Sequence, residues 1–394
     1  MKILITTDWY KSAVNGVVTS VRNLVGGLQA LGHDVKILTL SENRHSSTEG
    51  IVTYIGSVNA EKIYPCARIK IPLKSKLVNK IVEWKPDIIH SQCEFSTFSL
   101  AKAVSLKTGA PIVHTYHTIY EDYTHYFSPS IKLGRNAVRL FTRHIAESVS
   151  VMVAPTDKVR KILDGYGVTK PVSVIPTGLN LDKICNKCSP DEITAMKNKL
   201  GIPLENKVVM YAGRLAEEKN LEEIISYLGK NMPQHCTFLI VGGGPYENNI
   251  RQAINKNGLE EMTIMTGMVK PDEIRNYYAL GDIFVSASQS ETQGLTYIEA
   301  MATGVPLLCR KDKCLENVLL QGKNGYAYTT ETEFYTYLET LMNCDNTPMK
   351  EFCKDYAQSQ FSSQRFAESC ESVYRKCLIN HYQNAYEDAV YAYR

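Results

Sequence analysis

The sequence predicts an α/β protein with two domains in tandem, each built around a parallel β-sheet. Short apolar runs alternate with segments of helical periodicity from the first residues onward. The pattern begins again at Lys207, after a Pro176-Thr177-Gly178 turn. With 394 residues, of which 44% are hydrophobic, the chain is long enough to bury two cores.

The first domain is predicted to begin with a strand at Lys2–Thr7 and a helix at Val17–Leu31, where apolar residues recur at helical spacing. Further short strands are predicted at Asp34–Leu40, Pro86–His90, Pro111–His114, Ser150–Ala154 and Val172–Ile175. Strands that are separated by helices form right-handed βαβ units, which give a parallel sheet.

The second domain repeats this alternation, with a predicted helix at Leu221–Leu228. Its predicted strands are Lys207–Ala212, Thr237–Val241, Met262–Thr266, Ile283–Ser286 and Pro306–Cys309. We place the two domains at residues 1–176 and 177–372. The tail from residue 351 contains neither Gly nor Pro, which predicts a helical end to the chain, with residues 373–394 as a separate C-terminal helix.

Charge is distributed unevenly, because residues 1–170 carry 22 Lys and Arg against 13 Asp and Glu. A basic half suggests an anionic partner, either nucleic acid or an anionic membrane surface, although chance placement would give the same imbalance. The sequence contains no recognition motif for nucleic acid, so we expect no nucleic-acid partner. No apolar run has the length of a membrane-spanning helix and the N-terminus lacks signal-peptide features, which together predict a cytoplasmic protein.

Two cations follow the first strand of the second domain. Ligands of open parallel sheets bind beyond the carboxyl ends of the strands, so residues that follow strands are candidates for chemistry. Arg214 and Lys219 lie near a predicted helix start, where free N–H groups also favour a diphosphate. Taken alone, such a pair is more often a solvated basic pair at a helix start. A later triplet, Gly242-Gly243-Gly244, permits either close approach to a ligand or a sharp turn, and it lacks the GxGxxG spacing of nicotinamide sites.

Two carboxylates, Glu291 and Glu299, follow another strand and are separated by seven residues. Gly294 marks the predicted start of a helix, which leaves the N–H groups of Leu295 and Thr296 exposed. A phosphate at that helix start would bring a bound ribose near Glu299, because a carboxylate readily accepts two adjacent hydroxyls. Glu291 would then reach the hydroxyls of a sugar.

This segment resembles the signature of glycosyltransferase family 4, whose members have the GT-B fold of two Rossmann-like domains facing across a cleft. The resemblance covers nearly the whole chain. It implies that Arg214 and Lys219 bind the diphosphate of a nucleotide sugar, while Glu299 binds its ribose and Glu291 its hexose. It also implies that no metal or other cofactor is needed, and that the last helix crosses back to the first domain.

The remaining donor contacts that the resemblance implies are Met268 and Val269 around the base and the backbone of Gly294, Leu295 and Thr296. In the first domain, Gly16 lies at the predicted start of a helix, where similar enzymes let the backbone approach the donor phosphate. A cluster of His, Tyr and acidic residues follows the strand at Pro111–His114. We assign His117 to the active site, where it would hydrogen-bond the donor hexose or the acceptor hydroxyl. Further acceptor candidates in this cluster are Tyr120, Asp122 and His125.

The segment from His114 to Phe127 (HTYHTIYEDYTHYF) resembles the corresponding part of Gram-positive 1,2-diacylglycerol 3-alpha-glucosyltransferases. The loop from Ser91 to Ser96 also resembles theirs, apart from Cys93. Residues 68–80 and 131–143 interleave cations with apolar side chains, as do helices that dock on anionic lipid. A surface helix that covers the core would give the same pattern. The candidate membrane contacts in the second segment are Lys132, Arg135, Arg139 and Arg143.

Together with these features, the resemblance implies a retaining, metal-independent transferase that moves glucose from UDP-glucose to diacylglycerol, at the inner face of the cell membrane. The residues expected to act in the transfer are His117, Arg214, Lys219 and Glu291. No carboxylate pair is placed for double displacement, so the family implies attack on the same face of the sugar. Three alternatives stay open: a family 4 hexosyl- or mannosyltransferase for another lipid or a soluble sugar, a sugar-nucleotide epimerase, and a non-catalytic nucleotide-sugar binder.

Overall fold

The computed structural model describes residues 1–10, 16–60, 68–70, 76–121, 130–184 and 188–392, without the side chains of residues 131, 182–183 and 384–392. The chain forms two compact units. Unit 1 comprises Met1–Gly178 together with Ser363–Arg394, and unit 2 comprises Leu179–Ser362. Each unit has two apolar clusters, one on either face of its sheet. The tandem α/β architecture predicted from the sequence is therefore confirmed.

Unit 1 begins with β1 (Lys2–Thr7), α1 (Gly16–Ala30) and β2 (Asp34–Leu40), within one residue of the predicted bounds. The elements that follow are β3 (Ser47–Glu49), β4 (Val52–Ile55), β5 (Ser57–Asn59), β6 (Arg68–Lys70), α2 (Lys76–Trp84), β7 (Ile88–Ser91), α3 (Ser96–Thr108), β8 (Ile112–Thr115), α4 (Ile131–Glu147), β9 (Val151–Ala154), α5 (Asp157–Gly165) and β10 (Val172–Val174). The sequence did not predict β3 to β6, because runs of three or four residues show no clear periodicity.

The main sheet of unit 1 has the strand order β10-β9-β8-β7-β1-β2-β4-β3, with β3 antiparallel to β4 and the other pairs parallel. In β1, Leu4 faces one apolar cluster while Ile3 and Ile5 face the other. Burial on both faces explains the continuous apolar runs of the sequence. The order of the strands reverses between β1 and β7, so the loops after β1, β7 and β8 are neighbours at the carboxyl edge.

Unit 2 contains α6 (Leu181–Ile184), α7 (Pro190–Leu200), β11 (Lys207–Ala212), α8 (Leu221–Lys230), β12 (Cys236–Val241), α9 (Glu247–Lys256), β13 (Thr263–Met265), α10 (Ile274–Tyr278), β14 (Ile283–Ser286), α11 (Leu295–Thr303), β15 (Leu307–Arg310), β16 (Gly325–Tyr328), α12 (Glu331–Asn343) and α13 (Thr347–Phe361). Its strands are parallel, in the order β13-β12-β11-β14-β15-β16. This is the doubly wound order of a Rossmann-like sheet, which reverses direction between β11 and β14.

The N-terminal part of unit 1 ends at Gly178, two residues beyond the predicted boundary. Side chains of α1 hydrogen-bond to the last two residues of this part and so keep them in unit 1. Asn23 Nδ2 donates to Gly178 O at 3.0 Å, and Ser20 Oγ lies 3.4 Å from Thr177 Oγ1. The last helix, α14 (Ser363–Ala392), belongs to unit 1 and begins at Ser363 rather than at 373.

Helix α14 packs closely on α1 at a glycine. A Cβ on Gly27 would lie 2.7 Å from both Ala367 Cβ and Ser363 O, so a larger residue there would push the helices apart. Further along α14, the Tyr374 hydroxyl lies 2.6 Å from Nδ1 of buried His90 on β7. These contacts explain why the helix joins unit 1 from its first turn onward.

Candidate active site

A Lys–Glu ion pair lies where the strand order of unit 2 reverses. Lys219 ends a short 3-10 turn (Glu217–Lys219) after β11, and Glu291 lies in the loop after β14. Lys219 Nζ is 2.5 Å from Glu291 Oε1, and the two side chains are only 18% and 20% exposed. Because β11 and β14 are neighbours, the loops that follow them meet at the edge where such sheets bind ligands. The fold thus brings together two predicted site residues that are 72 positions apart.

Arg214 lies on the same loop but has a different partner. Its guanidinium pairs with Glu218 in the adjacent 3-10 turn and is partly exposed. The Tyr211 hydroxyl donates to Arg214 O at 3.0 Å, which fixes the backbone of the loop. Ser290 Oγ donates to Glu218 O at 3.3 Å and so connects this loop to the one that carries Glu291. Both predicted phosphate cations therefore lie on one hydrogen-bonded pair of loops.

The glycine triplet after β12 packs against the Arg214 loop. A Cβ on Gly242 would lie 2.0 Å from Gly213 O, and one on Gly244 would lie 2.1 Å from Leu215 O. Gly242 also has a φ of 134°, which disfavours a side chain. At these two positions glycine serves the close approach of the two loops, which is a structural role.

Helix α11 begins directly after Gly294, as predicted. Gly294 has a φ of 74°, and a Cβ there would lie 2.4 Å from the ring of Tyr297. Only glycine satisfies both constraints. The first N–H groups of α11, at Leu295 and Thr296, therefore lie at the carboxyl edge, where they have no partner within their own helix.

Glu299 lies further along α11 and has a buried neighbour that the sequence did not reveal. The hydroxyl of Tyr278, on α10, donates to Glu299 Oε2 at 2.7 Å. Burial raises the pKa of Glu299 to about 7. Tyr278 ends a short helix and does not follow a strand, so the strand-end rule gave no signal for it.

The two residues assigned to the base differ in their surroundings. Met268 is 77% exposed, and its Cγ would lie 2.9 Å from a Cβ on Gly243. Val269 is partly buried and packs against one of the two apolar clusters of unit 2. Of the two, Met268 therefore presents the open apolar surface.

In unit 1, the loops after β7 and β8 are joined by side-chain hydrogen bonds. His117 Nε2 lies 2.7 Å from Gln92 Oε1. Glu94 Oε2 accepts from the Tyr120 hydroxyl at 2.6 Å, and Glu94 Oε1 lies 3.3 Å from His114 Nε2. Burial lowers the pKa of His117 to about 4, so its imidazole is neutral at pH 7. The predicted His117 and Tyr120 thus lie in one polar cluster with residues of the β7 loop.

Asp8, which directly follows β1, was missed in the sequence. Its Oδ1 accepts from the backbone N and the hydroxyl of Thr97, at 2.8 and 2.7 Å, and so caps the first turn of α3. Burial, with a smaller contribution from nearby Glu94, raises the pKa of Asp8 to about 6. Its position immediately after a strand was the available signal. Gly16 begins α1 as predicted.

The acceptor candidates are only partly described, because Asp122 and His125 lie outside the described residues. Lys132, Arg135, Arg139 and Arg143 are exposed on α4. Arg135 Nε lies 3.9 Å from Glu121 Oε2, and Arg139 Nη2 donates to Gly165 O at 2.6 Å. Beside these cations, Leu133 and Leu140 are 68% and 65% exposed. The outer surface of α4 thus combines positive charge with open apolar side chains.

The first basic segment, at 68–80, does not behave as one amphipathic helix over its described residues. Arg68 lies on β6, and its Nε donates to Ser41 O and Ser57 Oγ at 2.9 and 2.7 Å. Its charge is therefore engaged by oxygens inside unit 1, and lipid contact of this segment stays a prediction. Residues 71–75 lie outside the described residues. Among the helices that the structure describes, none combines the length and the apolar character needed to cross a bilayer.

The chain is similar to known glycosyltransferases along most of its length. Residues 14–183 match the model of Glycosyltransferase Family 4, and residues 192–360 match that of Glycosyl transferases group 1. The alpha-monoglucosyldiacylglycerol synthases of Streptococcus pneumoniae and Acholeplasma laidlawii are each 30% identical to this chain, over 96% and 95% of it and 87% and 96% of their own lengths.

Two solved structures resemble the whole chain. Anabaena HepE in complex with UDP and sucrose-phosphate synthase from Thermosynechococcus elongatus each give a TM-score of 0.73 at 18% identity. They cover 95% and 96% of this chain, which covers 100% and 99% of theirs. At that identity the likeness concerns the fold alone, and it confirms the predicted fold class of two Rossmann-like domains.

Proposed function

Because the chain belongs to glycosyltransferase family 4 and has the GT-B fold, we propose that this glycosyltransferase moves glucose from UDP-glucose to diacylglycerol. The observation that carries the donor half is the Lys219–Glu291 pair at the switch point of the unit 2 sheet. The names of the two relatives that are 30% identical support the acceptor half.

Lys219 and Arg214 are proposed to hold the donor diphosphate. Arg214 can grip two phosphate oxygens, and Lys219 supplies a compact charge that Glu291 orients. The first N–H groups of α11 add further donors at the same edge of the sheet. As the sugar–phosphate bond breaks, negative charge develops on the leaving diphosphate, and these fixed cations and dipoles would stabilise it.

Glu299 is proposed to bind the ribose of the nucleotide. A carboxylate must be ionised to accept two hydroxyl hydrogen bonds, and the Tyr278 hydroxyl that donates to Glu299 favours the ionised form. Glu291 would bind hydroxyls of the hexose. Met268 would pack against the base.

We further propose that the transfer retains the anomeric configuration and needs no metal ion. The side chains named above are cations, carboxylates that hydrogen-bond hydroxyls, and a neutral histidine. His117 would contact the donor hexose or the acceptor hydroxyl. Two tests follow: the product of UDP-glucose should be the α-anomer by the proton coupling of its anomeric carbon, and turnover should survive excess EDTA.

The acceptor would be reached at an anionic membrane surface on the inner face of the cell membrane, through α4. Apolar burial contributes about 25 cal/mol per Å², and each cation near an anionic surface about 1 kcal/mol. Leu133 and Leu140 are exposed on α4 next to its cations, so apolar burial and charge attraction can act together.

The decisive experiment is a screen of radiolabelled UDP- and GDP-sugars against anionic vesicles that contain diacylglycerol. We expect a labelled glycolipid from UDP-glucose and none when diacylglycerol is omitted. Product on soluble sugars, or on another lipid, would contradict the proposed acceptor. Epimerised donor without any acceptor would indicate an isomerase, and tight UDP binding without turnover would indicate a non-catalytic binder.

Membrane docking through α4 is tested separately, by co-sedimentation with vesicles of phosphatidylglycerol. The double variant Leu133→Ser/Leu140→Ser should bind vesicles at least about tenfold more weakly, since each leucine contributes on the order of 1 kcal/mol or more. The matched control is Leu106→Ser/Leu204→Ser, which changes two exposed leucines outside α4. Equal losses in both double variants would contradict docking through α4.

A further inference from the structure

Gln92 and His117 face each other from loops after neighbouring strands. The backbone N of Gln92 donates to Thr6 O on β1 at 2.8 Å, which anchors the residue to the sheet. Its side chain is almost fully buried, and Oε1 lies 2.7 Å from His117 Nε2. Within the described part of the chain, the Gln92 amide nitrogen has no acceptor. Among the described residues, the contact between Oε1 and His117 is therefore the one hydrogen bond that the Gln92 side chain makes.

We infer that Gln92 is a positioning residue, which holds His117 as the neutral tautomer with its proton on Nε2 and leaves Nδ1 to accept from a substrate hydroxyl. A carbonyl oxygen can only accept, so the ring nitrogen that faces it must carry the proton. A separation of 2.7 Å fits an N–H···O hydrogen bond. The final clause, on the hydroxyl, rests on the proposed function.

The tautomer has a chemical consequence. A neutral imidazole offers one donor and one acceptor, and the partner of one nitrogen decides the role of the other. With Nε2 committed to Gln92, only Nδ1 is left for a ligand. Because burial lowers the pKa of His117 to about 4, Nδ1 is a weak base and acts as a hydrogen-bond acceptor that orients a hydroxyl. A ligand that lacks this hydroxyl would forgo the hydrogen bond to Nδ1.

The groups around His117 act on its charge in opposite directions. Glu94 favours the imidazolium, while His114 disfavours it. His90, from β7, also lies within electrostatic range of both histidines. Gln92 is neutral, so it selects a tautomer and adds no charge. Replacing it with the isosteric Glu adds a carboxylate beside Nε2, which should raise the pKa of His117 by about one to three units.

The test is nitrogen-15 NMR of the full chain with labelled histidines, without any substrate. The His117 signals are those missing from His117→Asn. We expect a protonated Nε2 and an unprotonated Nδ1 in the wild type, a tautomer mixture in Gln92→Leu, and a higher midpoint of protonation in Gln92→Glu. His90 is an internal control, since its ring nitrogens contact Tyr374 and Thr115 and should keep their signals.

Two results would overturn the assignment: a proton on Nδ1 in the wild type, or the same tautomer in Gln92→Leu. If the Leu variant fails to fold, the wild-type tautomer and the Gln92→Glu titration decide, and an unmoved midpoint in the Glu variant contradicts the contact. As the pH falls, kcat should decrease in both proteins, and the midpoint of this decrease should lie at a higher pH in Gln92→Glu than in the wild type. Absence of turnover with every donor would contradict the proposed function and leave the tautomer result intact.

Discussion

Replacing Lys219 with alanine tests the donor site most directly. The change removes the cation proposed for the diphosphate and leaves Glu291 without its 2.5 Å partner. Removing one donor to a developing negative charge costs about 2.7–4 kcal/mol in a site screened from water. Since Lys219 is only 18% exposed, water would replace it poorly. We therefore expect kcat/KM to fall by about 10²–10³-fold.

The assay is initial-rate transfer of radiolabelled glucose to diacylglycerol vesicles, over a range of UDP-glucose concentrations. If the lysine acts mainly in the transition state, kcat should carry most of the loss. The matched control is Lys230→Ala on α8, which also breaks a Lys–Glu pair, at 2.9 Å from Glu331. That pair is 58% and 38% exposed, so its loss should leave turnover close to wild type.

Thermal unfolding must accompany both variants, since a broken ion pair can also lower stability. A folded Lys219→Ala protein with a kcat/KM close to that of the wild type would refute the assignment of Lys219 to the diphosphate. Equal losses in Lys219→Ala and Lys230→Ala would point to a general effect on the fold of unit 2.

Three further predictions concern single residues. The pKa of Glu299 is raised to about 7, so most of its carboxyl is ionised only above that pH. Donor affinity, measured by calorimetry, should therefore rise about tenfold from pH 6 to pH 8. In Glu299→Gln, the affinity should not change over this range. Gly27→Ala should lower the free energy of unfolding, measured by urea titration, by about 1–3 kcal/mol, because its Cβ meets α14. Gly26→Ala is the matched control: its Cβ points into open space, so it should stabilise α1 by up to about 1 kcal/mol. Asp8→Ala should cost about 0.5–2 kcal/mol by removing the cap of α3, whereas Asp8→Asn, which keeps an acceptor, should lower the unfolding temperature less.

The secondary structure could be predicted largely from the sequence, because it depends on local patterns. Several strands, such as Lys2–Thr7 and Ile283–Ser286, have the predicted bounds, since a strand buried on both faces must be continuously apolar. The short strands β3 to β6 could not be predicted, because three or four residues are too few to show a period. Ser362 breaks the helical tail that the absence of Gly and Pro suggested, giving α13 and α14.

The candidate residues were found because chemistry in parallel sheets follows strands, which the sequence marks clearly. Lys219, Glu291 and His117 each lie beyond the end of a strand. Partners on other elements carry no such mark. Tyr278 was missed for this reason. Gln92 was part of the loop from Ser91 to Ser96, but the sequence assigned it no role. Arg68, which donates to Ser41 O, shows the converse difficulty, because a cation among apolar residues looks the same in sequence whether it faces lipid or backbone carbonyls.

By itself, the sequence determined which segments become strands and helices and which polar residues follow them, because apolar periodicity and turn residues act over a few positions. Only the tertiary structure decided which of those residues meet. Strand order places Lys219 against Glu291 and Gln92 against His117, and burial sets the pKa of Glu299 and His117. Both depend on contacts between residues far apart in the chain, which no local pattern encodes.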